Sequence, residues 1–432
     1  MSSDIEACGS PTQSNMEDNK PDVTRTLLNL NTQLAQCLEN LKSLGSTLSE
    51  SLHHDDRLPK LEDMNLAAQA VDTLHQIQLM LDPPVLILAD HFLGYVRSKC
   101  LLAAVERGIP DALKQGSMTL ADLAKLTHSR NDRLGQILRI LCDQGIFTYD
   151  DKTRRYSNSP ASTLLLSDHW TQWHNWVTLY GTQFYDIARG IPSSTVERSS
   201  RTAAQINFDT DTNMFAFFRE QEWALQLHRT LGGGATAQLP GILEDYPWYE
   251  VADGLVMDIG GGGGDFIAGL LRRYPEMQGG LFDQPHIADH FRSYFESGAK
   301  FHDIKGQVQD HNVVGGDFFE SVPRCAVYTM KWCLHDWMDA EALAILKNIR
   351  KSIIVGPKSR LIVLESILSN RHSGRLTRYG DINMMMTISG QERTEDDWQN
   401  LAKSAGWELS GIWDLRRAWV KAMEFRPVVP EA

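Results

Sequence analysis

The stretch LVMDIGGGGGDF, residues 255–266, decides the fold class. Leu255–Ile259 is an apolar run broken only by Asp258, and five glycines follow it. Phe266–Tyr274 then carries helical periodicity. A short apolar run of this kind is a buried strand. Glycines after it let the backbone turn and approach a ligand closely before the helix begins. Alone the pattern is weak, because phosphates, dinucleotides and other adenosine ligands all use it.

Its weight comes from the sequence downstream. Gln278–Phe282 reads as a strand ending in Asp283, and Cys325–Met330 as a buried strand. Ala340–Ile353 is an amphipathic helix, Leu361–Leu364 a strand ending in Glu365, and Glu395–Ala405 a further helix. Apolar strands alternating with helices imply a parallel sheet covered on both faces, a Rossmann-like doubly wound α/β fold. Ligands of such sheets lie at the carboxyl ends of the strands. Asp258, Asp283, Lys331 to Asp336 and Glu365 all fall at or near those ends.

The residue types there select a ligand. A carboxylate at Asp283 can accept hydrogen bonds from both ribose hydroxyls. Asp258 precedes the glycines, and the turn holds no lysine or arginine, which disfavours a pyrophosphate and favours a ligand bearing positive charge. Asp317 in GGDFF adds an acidic group, and Phe318 beside it can lie on an adenine face. An acidic, aromatic adenosine site without a phosphate clamp points to S-adenosylmethionine over NAD or ATP.

The segment YTMKWCLHDWMD, residues 328–339, places His335 and Asp336 side by side after a strand. A hydroxyl attacking a sulfonium methyl must lose its proton. A phenol has a pKa near ~10 and histidine near ~6.5, so a neutral histidine in contact takes the proton as the bond forms. Such a histidine needs acceptors to fix its tautomer, and Glu365 and Glu392, the latter in SGQERTEDD, are the candidates. Asp336, grouped with them, is expected to cap the helix near Ala340 or brace the loop.

The rest of the chain frames this site. With 432 residues, two domains plus appendages are expected. A net charge of −13 with no basic block argues against nucleic acid and anionic membrane. The longest apolar runs, such as Pro83–Ala89, are far shorter than the ~20 residues of a membrane helix. The first 22 residues are polar and acidic, without an apolar signal core, and read as disordered, which places the chain in the cytoplasm. The six cysteines show no metal spacing, so no metal is expected.

Leu27, Leu30, Leu34, Cys37, Leu41, Leu44 and Leu48 form a heptad-like stripe on one expected helix, and residues 45–60 read as a linker. Residues 62–108 are helical, interrupted at Asp82-Pro83-Pro84. Thr119 is a candidate N-cap; a second helix spans Asp132–Leu141, and Ile146–Tyr149 with Arg155–Ser157 form a hairpin. That is the winged-helix order. DNA binding is a rival that the sparse basic charge disfavours. Residues 164–231 are dense in aromatics and suit a wall over a flat ligand, with Trp173 and His174 as candidate substrate-binding residues.

Several motifs now combine. DIGGGGG, LFDQPHI (281–287), GGDFF (315–319), MKWCLHDW (330–337) and GQERTEDDWQNLAKSAGW (390–407) together resemble the plant caffeic acid-type O-methyltransferase family, in its fungal secondary-metabolite branch. The resemblance covers roughly residues 60–432 and includes the winged-helix segment, which in that family serves dimerisation. It implies a homodimer that methylates a hydroxyl of an aromatic or polyketide-type small molecule. His335 would be the general base, flanked by Glu365 and Glu392. Asp283, Asp317, Phe318 and Lys331 would hold the cofactor, with Gly260, Gly261 and Gly262 beneath its methionine part. Met384 resembles a family methionine that packs on the substrate. The implied domains are 1–60 as tail plus amphipathic helix, 61–200 as winged-helix dimerisation and lid domain, and 201–432 as the methyltransferase domain. Some fungal relatives of this fold bind S-adenosylmethionine and catalyse dehydration or pericyclic ring closure on polyketide–peptide hybrids without methyl transfer. In that alternative His174 would be the acid or base.

Overall fold

The computed structural model describes residues 22–54, 56–296 and 298–429. The chain divides into two compact units, Met1–Lys60 and Leu61–Ala432. In the first, the helix Val23–Ser43 starts at Asp22, whose side chain accepts the Arg25 N–H. It stops at Leu44, because Gly45 takes φ +50°, and the helix Ser46–Leu52 follows. The leucine stripe expected on one helix is therefore cut in two, and the expected linker contains a helix of its own. A left-handed glycine ends the first helix, and no breaker lies between Ser46 and Leu52 to prevent the second. Leu27, Leu41 and Leu44 stay exposed within this unit. The disorder expected at the N-terminus falls outside the described residues, Asp22 excepted.

The second unit opens with helices Leu61–Leu81, Pro84–Phe92 and Gly94–Glu106. Pro84 sits at the first helical position, where its missing N–H costs nothing. Thr119 caps the helix Leu120–Leu126, as expected, and Asn131–Asp143 follows. Strands β1 (Met118–Thr119), β2 (Phe147–Asp150) and β3 (Arg155–Asn158) form a small antiparallel sheet in the order β1-β3-β2. Leu123, Leu134, Leu138, Leu141 and Phe147 bury its core, completing the winged-helix order.

Further on, the aromatic stretch is helical. Trp173–Gly181 and Gln183–Ile187 lead to the 22-residue helix Ala224–Asp245, which carries Pro240 inside it. A seven-stranded sheet then forms in the order β6-β5-β4-β7-β8-β10-β9. Its strands are β4 (Leu255–Ile259), β5 (Gln278–Asp283), β6 (Val308–Gly315), β7 (Val327–Lys331), β8 (Arg360–Glu365), β9 (Trp407–Asp414) and β10 (Lys421–Pro427). Strands β4 to β8 are parallel, while β10 pairs antiparallel with β8 and β9. Four of the five parallel strands match the alternation read from sequence; β6 and the closing hairpin were not foreseen. Helices Asp265–Arg273 and Asp339–Ser352 cover opposite faces, with separate cores around Ile267 and Ile345. Among the described residues, no helix is long and apolar enough to cross a membrane.

The strand order reverses between β4 and β7, so a crevice opens there at the carboxyl ends. Asp258 of β4 pairs in register with Thr329 of β7. The glycine turn and the His335 segment therefore leave the sheet side by side.

Candidate active site

On the β4 side, two glycines are required by geometry. Gly264 caps the helix Asp265–Arg273 at φ +74°, and a Cβ on it would lie 2.0 Å from the Phe291 ring. Gly260 has φ +68° and a Cβ there would meet Cys333 Sγ at 3.0 Å. The Gly262 N–H donates to Asp283 Oδ2 at 2.9 Å, while the Gln284 N–H donates to Oδ1 at 2.7 Å. The carboxylate that ends β5 is thus pinned under the turn. Asp317 lies close by: the Gly316 N–H donates to the Asp283 carbonyl, and Asp317 Oδ1 accepts the Phe319 N–H. Phe318 is half-buried, with its ring edge-on to Trp337.

Asp258 is buried and accepts from Thr329 Oγ1 at 2.8 Å. Burial pushes its carboxyl up to about 7, against the Thr329 bond and Lys331. Burial pushes the Lys331 amine down to about 8, opposed by Asp258 and Glu365. Its ammonium lies 4.2 Å from the Trp332 ring centre. Burial also raises Asp283, partly offset by its backbone donors. This edge of the crevice thus collects acidic groups beside glycines that leave backbone accessible. It suits an adenosine ligand carrying positive charge, the fit expected for S-adenosylmethionine.

On the β7–β8 side, the short turn Leu334–Asp336 carries His335. Its Nδ1 lies 2.9 Å from Glu392 Oε1 and 3.4 Å from Glu365 Oε2. Its Nε2 lies 3.5 Å from Asp336 Oδ1, too far for a hydrogen bond of normal length. Glu365 Oε1 is held by the N–H groups of Cys333 and Leu334. Glu392 is set by its own N–H donating to Asp381 Oδ1 at 2.8 Å. The remaining oxygen of Glu392 has no hydrogen-bond partner, and Glu365 Oε2 has only the longer approach to His335. The Nδ1–Glu392 bond assigns Nδ1 as the protonated nitrogen and leaves Nε2 as the one that can accept.

Three carboxylates around one buried imidazole change its titration. Burial alone would depress it, but Glu365, Glu392 and Asp336 raise His335 to about 10. Burial raises Asp336 to about 6 and Glu365 to about 7, both opposed by the charge on His335. The expected histidine of ordinary pKa is thus corrected: the three carboxylates hold its ring well above the usual histidine range. Asp336 does not cap the following helix either. The N-cap position is Met338, with no side-chain bond, and the Asp336 carboxylate stays beside the His335 ring. His335, Glu365 and Glu392 offer one ligand atom each within 4.8 Å, a spacing that would also admit a metal ion.

The substrate candidates spread out. Trp173 packs on Trp176 and Trp419, and Trp176 also meets Trp332, the residue after Lys331. This aromatic group therefore reaches the carboxyl end of β7. His174 does not join it. Asp111 and a hydrogen bond at Leu166 act on its ring, and its buried Nδ1 has no partner. Met384 lies half-buried on the helix Arg375–Ile388, which ends at Ser389 just before Gly390. A Cβ on Gly390 would lie 2.2 Å from the His335 carbonyl oxygen. Sequence reasoning missed Asp381, Trp419, Gly390 and Arg393. All but Asp381 act across long separations, and the only signal was that Gly390 and Arg393 flank Glu392.

Comparison with known proteins follows the same outline. The O-methyltransferase domain family matches residues 170–408, and the O-methyltransferase dimerisation domain matches residues 89–168. The chain is 50% identical to O-methyltransferase aclM of Aspergillus oryzae over 415 residues, covering 95% of this chain and 93% of that protein. It is 44% identical to O-methyltransferase verK of Clonostachys rogersoniana, covering 93% and 99%. Among solved structures, LaPhzM superposes with a TM-score of 0.64 at 25% identity, over 80% of this chain and 100% of that one. The complex of LepI with SAM gives 0.70 at 20% identity, over 91% and 99%, a likeness of fold.

Proposed function

The chain belongs to the O-methyltransferase family and takes S-adenosylmethionine as cofactor, and from that premise we propose that it methylates a hydroxyl of an aromatic or polyketide-type fungal secondary metabolite. The observation that carries the assignment of roles is the His335–Glu392 hydrogen bond of 2.9 Å at the strand-order switch point. Asp258, Asp283, Asp317, Phe318 and Lys331 would hold the cofactor above Gly260 to Gly262. Bound there, S-adenosylmethionine supplies an electrophilic methyl group on a sulfonium.

The residues of the chain supply the rest. His335 Nε2 takes the proton of the acceptor hydroxyl as the oxygen attacks, and Nδ1–H stays on Glu392. Glu392 and Glu365 stabilise the imidazolium that results. With His335 raised to about 10, its basicity matches that of a phenol near ~10, so the proton moves with little uphill cost. The same match leaves only a small neutral fraction at pH 7. Trp173, Trp176 and Met384 would line the acceptor side and exclude water. The alternative without methyl transfer gives His174 an acid–base role. The ring's setting by Leu166 and Asp111, and its absence from the His335 group, favour the transferase reading.

We read the protein as a cytoplasmic homodimer. The dimerisation-domain match supports this, as do the exposed Leu66, Leu74, Val85, Leu86, Leu88 and Phe92 on the first two helices of the second unit. The described cysteines are free thiols, in keeping with a reducing compartment. Light scattering should give about twice the chain mass; a monomer at working concentration would remove the dimer. The function is tested by mass spectrometry of fungal phenols and pyridone alcohols incubated with S-adenosylmethionine or with S-adenosylhomocysteine. A product heavier by one methylene, only with the former, is expected. An isomerised or dehydrated product with the cofactor intact would refute it.

A further inference from the structure

Arg393 follows Glu392 in chain order, yet its side chain is only 1% exposed. Its guanidinium donates to the Leu334 carbonyl at 3.1 Å and to the Trp337 carbonyl at 2.7 Å, the two peptide groups bracketing His335 and Asp336. Nε donates to Asp339 Oδ1 at 2.9 Å, and the guanidinium lies 5.3 Å from the Trp398 ring centre. The backbone of Arg393 bridges Ile367, two residues beyond Glu365, and its carbonyl accepts the Leu368 N–H. Next to it, the Gln391 N–H donates to the His335 carbonyl at 2.9 Å, and the Gln391 side chain donates to Asp339. The three segments that bring His335, Glu365 and Glu392 together therefore meet at one residue.

A buried guanidinium whose single carboxylate partner is largely exposed is an expensive way to stabilise a fold. An apolar side chain of similar volume would serve packing better. What the guanidinium offers is a rigid planar fork with five donors, matched here to two carbonyls and a carboxylate. A lysine ammonium is a point donor and cannot span them.

We propose that Arg393 is a positioning residue for the His335 base: it fixes the backbone on both sides of His335 so that the ring stays within reach of Glu392 and Glu365. This rests on the reading of His335 as the base, and a double-mutant cycle separates the two. Arg393→Lys, His335→Ala and the double variant are compared for kcat and KM on the phenol that the panel above methylates fastest. Cofactor Kd is measured by calorimetry, and the downfield Nδ1–H proton of His335, assigned by its loss in His335→Ala, is followed by NMR. Arg393→Lys is expected to lower kcat by about 10²-fold, the scale of a small misplacement of a catalytic group, with cofactor Kd unchanged and the Nδ1–H signal shifted or broadened. In the His335→Ala background the same change should lower kcat no further. Equal losses in both backgrounds, or an unmoved Nδ1–H signal, would overturn the proposal and leave the base assignment standing. Full turnover by His335→Ala would instead overturn the base assignment, and the proposal with it. Should Arg393→Lys fail to fold, Asp339→Ala removes a mostly exposed partner of the same clamp. It should give a smaller kcat loss that likewise vanishes in the His335→Ala background; persistence of that loss would overturn the proposal.

Discussion

Strand β8 links two buried ionic networks that differ in balance. At its start, Arg360 donates to Glu424 at 2.9 Å and to Glu250 at 2.7 Å. Glu424 Oε2 also accepts from Tyr246, and its Oε1 accepts from Ser410 and Arg426. Guanidinium and carboxylate charges are matched there, and both oxygens of Glu424 are bonded. At the end of the strand, five residues on, Glu365 joins Glu392 and Asp336 around a single imidazole, with one oxygen of each glutamate left without a hydrogen-bond partner. A matched network holds a shape and resists change. An unmatched one keeps a group whose protonation can change, as a general base requires.

The sharpest way to break this comparison is to remove the proposed base. His335→Ala should cost about 10²–10⁴-fold in turnover while cofactor binding by calorimetry is kept; unchanged turnover would place the base elsewhere. At the other end, Glu424→Ala leaves Arg360 buried without its buried partner and should lower stability by about 3–5 kcal/mol in denaturant unfolding. The folded fraction should keep its kcat. Tyr246→Phe, which deletes one bond to the same carboxylate, should cost about 1.5–3 kcal/mol in the same assay; an effect as large as that of Glu424→Ala would mean the hydroxyl anchors the whole network.

A further effect is a difference in sign with pH. The folded-state pKa of His335 is raised, so its stabilising contribution is full below ~6.5 and is lost as pH rises toward about 10. For Glu424 burial is outweighed by Tyr246, Arg360 and Arg426, so its pKa is lowered. Its contribution is present above ~4.3 and is lost as pH falls through the depressed value. Denaturant midpoints of His335→Gln and Glu424→Gln against the wild type should therefore converge at alkaline and at acid pH respectively. Turnover should climb from neutral to alkaline pH as His335 loses its proton, and a flat profile from pH 6 upward would contradict the raised pKa.

The two ends were unequally legible in the sequence. Asp258, Asp283, His335 and Glu365 could be found because each lies at or near the end of an apolar run, and a parallel sheet gathers such ends on one edge. Arg360 also borders a run, but its partners Tyr246 and Glu424 lie far along the chain in segments without a local signal. Arg393 sits among the charged residues of SGQERTEDD and resembles solvated surface; only tertiary packing buries it. The helix Ser46–Leu52 inside the expected linker and the closing β9–β10 hairpin were missed because their polar, mixed composition carries no strong periodicity. His335 was identified by position, but its charge state was not, since that depends on three carboxylates brought together by folding.

The junction at Ser389–Gly390 has a consequence for how such a protein can diversify. Ser389 takes φ +59°, and Gly390 abuts the His335 carbonyl with no room for a Cβ. The helix before it shows Leu376, Tyr379 and Ile382 at its surface. Its C-terminal joint is therefore closed to substitution while its outer turns remain open to it. Selection or engineering can redraw the outer turns residue by residue and inherit the backbone at His335 intact, so new chemistries of recognition need not be accompanied by a rebuilt His335 segment.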